Sequence, residues 1–162
     1  MARYVTKKPL DLPPSDVSAE DRRADLIFYG VDHLGPSYIG RVFLGNEDAD
    51  EKTPLDPALG YAGHFTVFGH NGCAGDKGHC DVPDEPPDAF SHALPHPLTP
   101  LTLTVEVSEA LKRVKGRRVS VTVVPVEPAA RGPKLSNALH FESVRLVTYE
   151  NSITVQNQQQ PA

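Results

Sequence analysis

The sequence predicts an all-β fold: an antiparallel β-sandwich of about six or seven strands, with one short helix and a long Gly/Pro-rich loop. Three observations predict it. Short segments alternate apolar and polar residues with a period of two, most plainly Leu101–Val107 and Arg117–Val126. Sixteen prolines and twelve glycines fall between such segments as turn punctuation. Only one stretch, EALKRVK at 109–115, carries a helical pattern, so a helix bundle is excluded. At 162 residues the chain is long enough for one domain with a core of its own.

In chain order, residues 1–24 are polar and proline-rich and read as an N-terminal arm. Asp25–Val31 is the first strand, apolar on both faces, and Ser37–Leu44 is the second. The five-residue turn DHLGP between them predicts a hairpin. Gly45–Gly60 is an acidic loop with five carboxylates against one lysine. Its Asn46/Asp48/Asp50 alternation is that of a calcium loop, but the glycine and closing glutamate such loops use are missing, so a solvated loop is preferred. Ala62–Gly69 is the third strand, with His64, Thr66 and Phe68 on one face and Phe65 and Val67 on the other. Gly69–Pro100 then runs for about thirty residues without periodicity, a length that in a compact domain points to function.

The second half is more regular. Leu101–Val107 is a clean alternating strand. Ser108 is placed to cap the helix 109–115, with Glu109 at its positive end and Gly116 stopping it. Arg117–Val126 follows as a strand with Val119, Val121 and Val123 on one face, and Pro125 marks where it leaves the ladder or runs at an edge. Leu139–Tyr149 is another strand and Ile153–Val155 a short last one. The sandwich thus spans 25–156, and 157–162 is a disordered tail.

A net charge of −5 excludes the basic stripe that nucleic acid or an anionic membrane would require. No apolar run is long enough to span a bilayer, and the N-terminus lacks the apolar region of a secretory signal. The default compartment is then the cytoplasm, with export alongside a partner left open. No G-x-S-x-G elbow and no phosphate-binding glycine loop occurs, so the chain is read as non-enzymatic.

The chemistry concentrates in His70-x2-Cys73-x5-His79-Cys80. Four imidazole and thiolate donors within eleven residues form a candidate site for copper or zinc. The same two cysteines can instead close a disulfide worth roughly 2–3 kcal/mol by the chain-entropy model. Both readings stay open, and the disulfide Cys73–Cys80 is the one preferred. His64 is set apart: six residues of extended strand place it roughly 20 Å from His70. His33, His92, His96 and His140 read as isolated surface residues.

With these elements in place, YAGHFTVFGH (61–70), LTLTVEVSEALKRVKGRRVSVTVVPVEP (101–128) and FESVRLVTYE (141–150) resemble the C-terminal β-sandwich domain of polyphenol oxidases and tyrosinase-like dicopper proteins. SYIGRVFL (37–44) fits the opening strand region of that domain, and the resemblance covers roughly 25–150. The oxidase core of the family holds two coppers with histidines on a helical bundle. This chain has no helical His-x3-His pair to build one. The resemblance therefore implies the accessory domain without its catalytic core: a non-catalytic protein that covers or assists a dicopper oxidase partner. The alternatives are a small copper- or zinc-binding protein using the His70–Cys80 loop, and a structural sandwich that self-assembles into homo-oligomers through edge strands and the arm 1–24. The 69–83 loop lies outside the matched pattern, so no metal role transfers to it from the family.

Overall fold

The computed structural model describes residues 3–12, 22–73, 77–83, 90, 96–126 and 138–150. Nine strands, one α-helix and a 3-10 turn (Pro57–Leu59) are seen among them: β1 (Tyr4–Val5), β2 (Leu10–Asp11), β3 (Arg22–Val31), β4 (Tyr38–Leu44), β5 (Tyr61–Val67), β6 (Leu101–Glu106), α1 (Ser108–Leu111), β7 (Arg118–Val119), β8 (Val121–Val126) and β9 (Ser143–Glu150). Every pairing is antiparallel. One sheet has the order β1-β8-β4-β5, the opposing sheet β6-β3-β9, and β2-β7 form a small third sheet. The all-β sandwich expected from the alternation is the observed architecture.

The apolar alternation explains the layering. Leu26 and Phe28 of β3, Val42 and Leu44 of β4, Phe65 and Val67 of β5, Val105 of β6, and Val121 and Val123 of β8 share one buried core between the sheets. The opposite face of the four-stranded sheet is covered too, by a smaller cluster of Phe43, Ala49 and Val124. The acidic loop makes that second cluster possible by laying Ala49 over the sheet. Several of its polar groups bond within its own turns, while Asp48 pairs with Arg3 and Glu51 O accepts from Arg41. Asn46 donates to Leu59 O at 2.7 Å, and one Asp50 oxygen accepts from Lys52 N, Thr53 N and Thr53 Oγ1. The Thr53 hydroxyl is the main reason the exposed Asp50 carboxyl titrates below its ordinary range.

Several expectations need correction. β3 and β4 do not form a hairpin: β3 pairs with β6 and β9, β4 with β5 and β8, and the turn between them crosses from one sheet to the other. Both strands are central in their sheets, and the second face of β4 is apolar because Phe43 packs with Ala49 and Val124 there. The first twenty-four residues are not simply an arm. Tyr4–Val5 pairs with β8, Leu10–Asp11 pairs with β7, and β3 begins at Arg22. Arg117–Val126 is two strands, because the chain changes partner at Ser120. Pro125 lies in the β8 ladder against Gly40, past the two residues that β1 covers. The helix is only four residues long, and Ser108 does not cap it. Its hydroxyl instead accepts from Ala24 N and donates to Glu106, tying α1 to the start of β3. The expected strand 153–155 and the tail 157–162 lie outside the described residues.

Two core positions carry stability predictions. The ring of Phe65 lies over Gly40, where a Cβ would approach its atoms to 2.5 Å, and it packs on Phe28 at 4.9 Å between centroids. Gly40→Ala is expected to cost about 1–3 kcal/mol of unfolding free energy through overpacking, read from urea denaturation. Tyr38 is buried and its hydroxyl has no hydrogen-bond partner among the described residues, so burial pushes the phenol above its ordinary range. Tyr38→Phe is expected to leave stability unchanged or raise it by up to about 1–2 kcal/mol, because the unpaired hydroxyl is removed. A loss of stability in that variant would mean the hydroxyl is satisfied.

Candidate functional site

The strand registers bring two loops to one end of the sandwich. Val31 pairs with Leu101, so the end of β3 lies beside the start of β6. Tyr38 pairs with Val67, so the start of β4 lies beside the end of β5. The β3–β4 crossover and the long β5–β6 connection must therefore emerge together. They are joined by backbone hydrogen bonds: His70 N to His33 O (3.0 Å), Asn71 N to Gly35 O (2.9 Å) and Gly72 N to Leu34 O (2.7 Å). Gly69 makes the approach possible, since a side chain there would run into the backbone of Gly35 and Pro36.

The far limb of the long connection is fixed as well. Cys73 and Cys80 form a disulfide with Cα atoms 5.8 Å apart. Beyond it His96 N donates to His79 O (2.8 Å) and Leu98 N to Cys80 O (3.0 Å), so the returning chain is hydrogen-bonded to the closed loop. His33 completes the circuit through its ring: Nε2 lies 2.9 Å from Thr99 O. A carbonyl only accepts, so that nitrogen carries the proton.

The result is a row of four imidazoles. Ring centroids are 5.0 Å apart for His33 and His70, 5.5 Å for His70 and His96, and 6.3 Å for His79 and His96. The exposed ring of Phe68 packs edge-on against His70 at 6.3 Å. His70 Nδ1 is 3.3 Å from His33 O, which places the ring proton on Nδ1 and leaves Nε2 as the acceptor nitrogen.

Of the four residues singled out in the sequence, His70 and His79 join this row, while the two cysteines are spent on each other. A bridged Cys73–Cys80 offers no thiolate, and among the described residues no group of three or more His, Cys, Asp or Glu side chains stands ready to hold a metal. His64 is apart, as its distance along the strand requires, and bonds to Tyr61 OH at 2.9 Å. His33 and His96, read as isolated, belong to the row. Only the sheet-crossing β3–β4 turn could have revealed His33, and that turn has the sequence of an ordinary hairpin. His92 lies outside the described residues.

The same end exposes apolar side chains. Leu34 (43%), Phe68 (78%) and Val82 (53%) account for three of the seven exposed large hydrophobics among the described residues. Single exposed apolars are ordinary, and these three stand on the two loops that emerge at this end.

Two solved structures share this backbone. Latent aurone synthase (polyphenol oxidase) from natural source matches over 92% of this chain with a TM-score of 0.51 and 16% identity. The recombinantly expressed latent aurone synthase matches over 91% with a TM-score of 0.54 and 17% identity. The chain shares a fold with part of a polyphenol oxidase. It spans 24% of the length of those oxidases, which fits their C-terminal domain without the copper core. No protein-family profile and no curated protein matches the sequence. No helix among the described residues is long and apolar enough to cross a membrane.

The crosslink gives this site its own prediction. Reduction by a dithiol, or Cys73→Ser, is expected to lower stability by up to about 2–3 kcal/mol. Hydrogen exchange should accelerate at the amides of His70, Asn71 and Gly72 while those of β8 stay protected, because the loop opens without the core. Unchanged protection at residues 70–72 would show that the backbone bonds hold the loop without the disulfide.

Proposed function

We propose that this chain is a non-catalytic accessory module that docks on a tyrosinase-like dicopper oxidase, with the β3–β4 and β5–β6 loops as its contact face. One observation carries the reading: a fold shared over nine-tenths of this chain with only 24% of a latent polyphenol oxidase. The exposed Leu34, Phe68 and Val82 on these loops support it, since a cover must present apolar side chains to its partner. The Cys73–Cys80 disulfide favours an oxidising compartment over the cytoplasmic default, reached by export together with the partner.

Two other readings keep a specific anchor. A copper or zinc site using the thiolates of Cys73 and Cys80 with His70 and His79 belongs to the reduced chain alone. Homo-oligomerisation would exchange β1 and β2 between subunits, since each of these strands contributes only two residues to a ladder. A chain lacking residues 1–12 that keeps the same size in light scattering removes the exchange reading.

The docking test uses an oxidase core separated from its own sandwich domain. Adding this chain is expected to form a complex and lower the core's activity, both concentration-dependent. Phe68→Ser, on a side chain 78% exposed, should leave the fold intact and weaken the complex by about tenfold or more, as loss of an apolar anchor does. A core that neither binds this chain nor changes activity overturns the proposal.

A further inference from the structure

We propose that the end of the sandwich away from the loops carries a binding site for a small organic anion, one carboxylate or phosphate head on an apolar body. The site is a cavity of about 680 Å³ bounded by α1 and the chain after it, the exit of β4 and the 3-10 turn Pro57–Leu59. Register puts it there: Leu44 pairs with Val121 and Phe43 with Tyr61, at the other ends of the strands that begin or finish at Tyr38 and Val67. Its volume falls within the roughly 300–1,000 Å³ of small-molecule sites.

The lining combines what such a ligand needs. Leu44, Leu59, Tyr61 and Val114 contribute apolar surface, and Leu59 is 42% exposed, so an apolar body seated there leaves water together with it. The buried Ser120 also lines the cavity, and no hydrogen bond of its hydroxyl is seen among the described residues. That hydroxyl is a donor for a head-group oxygen. The charge comes from one run: Lys112, Arg113, Lys115, Arg117 and Arg118 place five cations within seven residues of a chain whose net charge is −5. Lys112 is taken by Glu109 (2.6 Å) and Arg118 by Asp11 (2.7 Å). Arg113 and Lys115 line the cavity and form no ion pair among the described residues. Arg113 is nonetheless held, since its Nη1 donates to Glu109 O (2.8 Å), and the rest of its planar fork is left for an oxyanion. Glu47 is the one carboxylate in the lining, so an entering anion meets net positive charge. The wall opposite is preformed: Asp56 accepts from Ala58 N (2.8 Å), and Leu44 N donates to Gly60 O (2.8 Å). A solvated charge run on a convex surface offers neither this wall nor a buried hydroxyl.

The test titrates the full chain with phenyl phosphate and with hexanoate by calorimetry, and maps each on the backbone amides by nuclear magnetic resonance. One equivalent of at least one probe should bind saturably, shifting the amides of Leu59, Val114 and Ser120 and leaving those of Gly35 and His70 in place. Inorganic phosphate and hexanol, the head and the body alone, should bind about tenfold more weakly or worse. Arg113→Ala and Lys115→Ala should each weaken binding about tenfold, as loss of a hydrogen bond to a charged group does, and Ser120→Ala about threefold. Lys112→Ala removes the same charge outside the lining and should change affinity less than about twofold. Lys115 is exposed, so its variant decides the matter even if Ser120→Ala unfolds. The proposal is overturned if neither probe saturates at millimolar concentration, if inorganic phosphate binds as tightly as phenyl phosphate, or if the Lys112 and Lys115 variants lose equally. None of these outcomes bears on docking to an oxidase, which is read at the opposite end by complex formation.

Discussion

Three backbone hydrogen bonds between His33–Gly35 and His70–Gly72 organise the loop end of this molecule. They join two connections about thirty-five residues apart in sequence into one short ladder beyond the last pairs of the sheets. Each such bond contributes only about 0.5–1.5 kcal/mol net. Their value lies in what they align, because a backbone ladder sets the position of the side chains it carries. Without them the imidazoles of His33 and His70 would belong to two independent loops. Gly69 is the condition for the ladder, since it lets the β5 exit lie against the backbone at Gly35 and Pro36.

The alternating strands were legible because burial imposes a period of two wherever a face meets the core. Leu101, Leu103 and Val105, then Val119, Val121 and Val123, point inward as their spacing requires. Pairing partners were not legible. The turn DHLGP looks like a hairpin, yet β3 and β4 each need two neighbours, and they find them in different sheets. The same gap hid the histidine row. His33 and His96 have no local signature, and their meeting with His70 and His79 follows from register between distant strands. The short strands β1 and β2 were missed for another reason: with two residues each, no periodicity can develop.

The cysteine pair shows how a local motif can be ambiguous and a structure decisive. Seven residues of separation admit a metal loop as well as a disulfide, with the disulfide preferred. In the bridged state the sulfurs leave the donor set and become a fastener. They hold His79 on a closed loop, to which the returning chain adds its own bonds at His79 O and Cys80 O. In that state neither cysteine offers a thiolate beside the histidines.

That end differs from the rest of the sandwich in what holds it. The core is fixed by interlocked aromatic and valine side chains, with Phe65 seated on Gly40 and against Phe28. The loops are fixed by a crosslink and a handful of backbone bonds while their apolar residues Phe68 and Val82 face outward. A segment held this way opens at lower free energy than the sheets that carry it. Any partner that covers the exposed rings adds burial the free chain lacks, and it does so against a backbone already aligned by the ladder. Less ordering entropy is then lost on binding than a loose thirty-residue loop would lose. The crosslink and the ladder thus make an irregular connection serviceable as a binding surface.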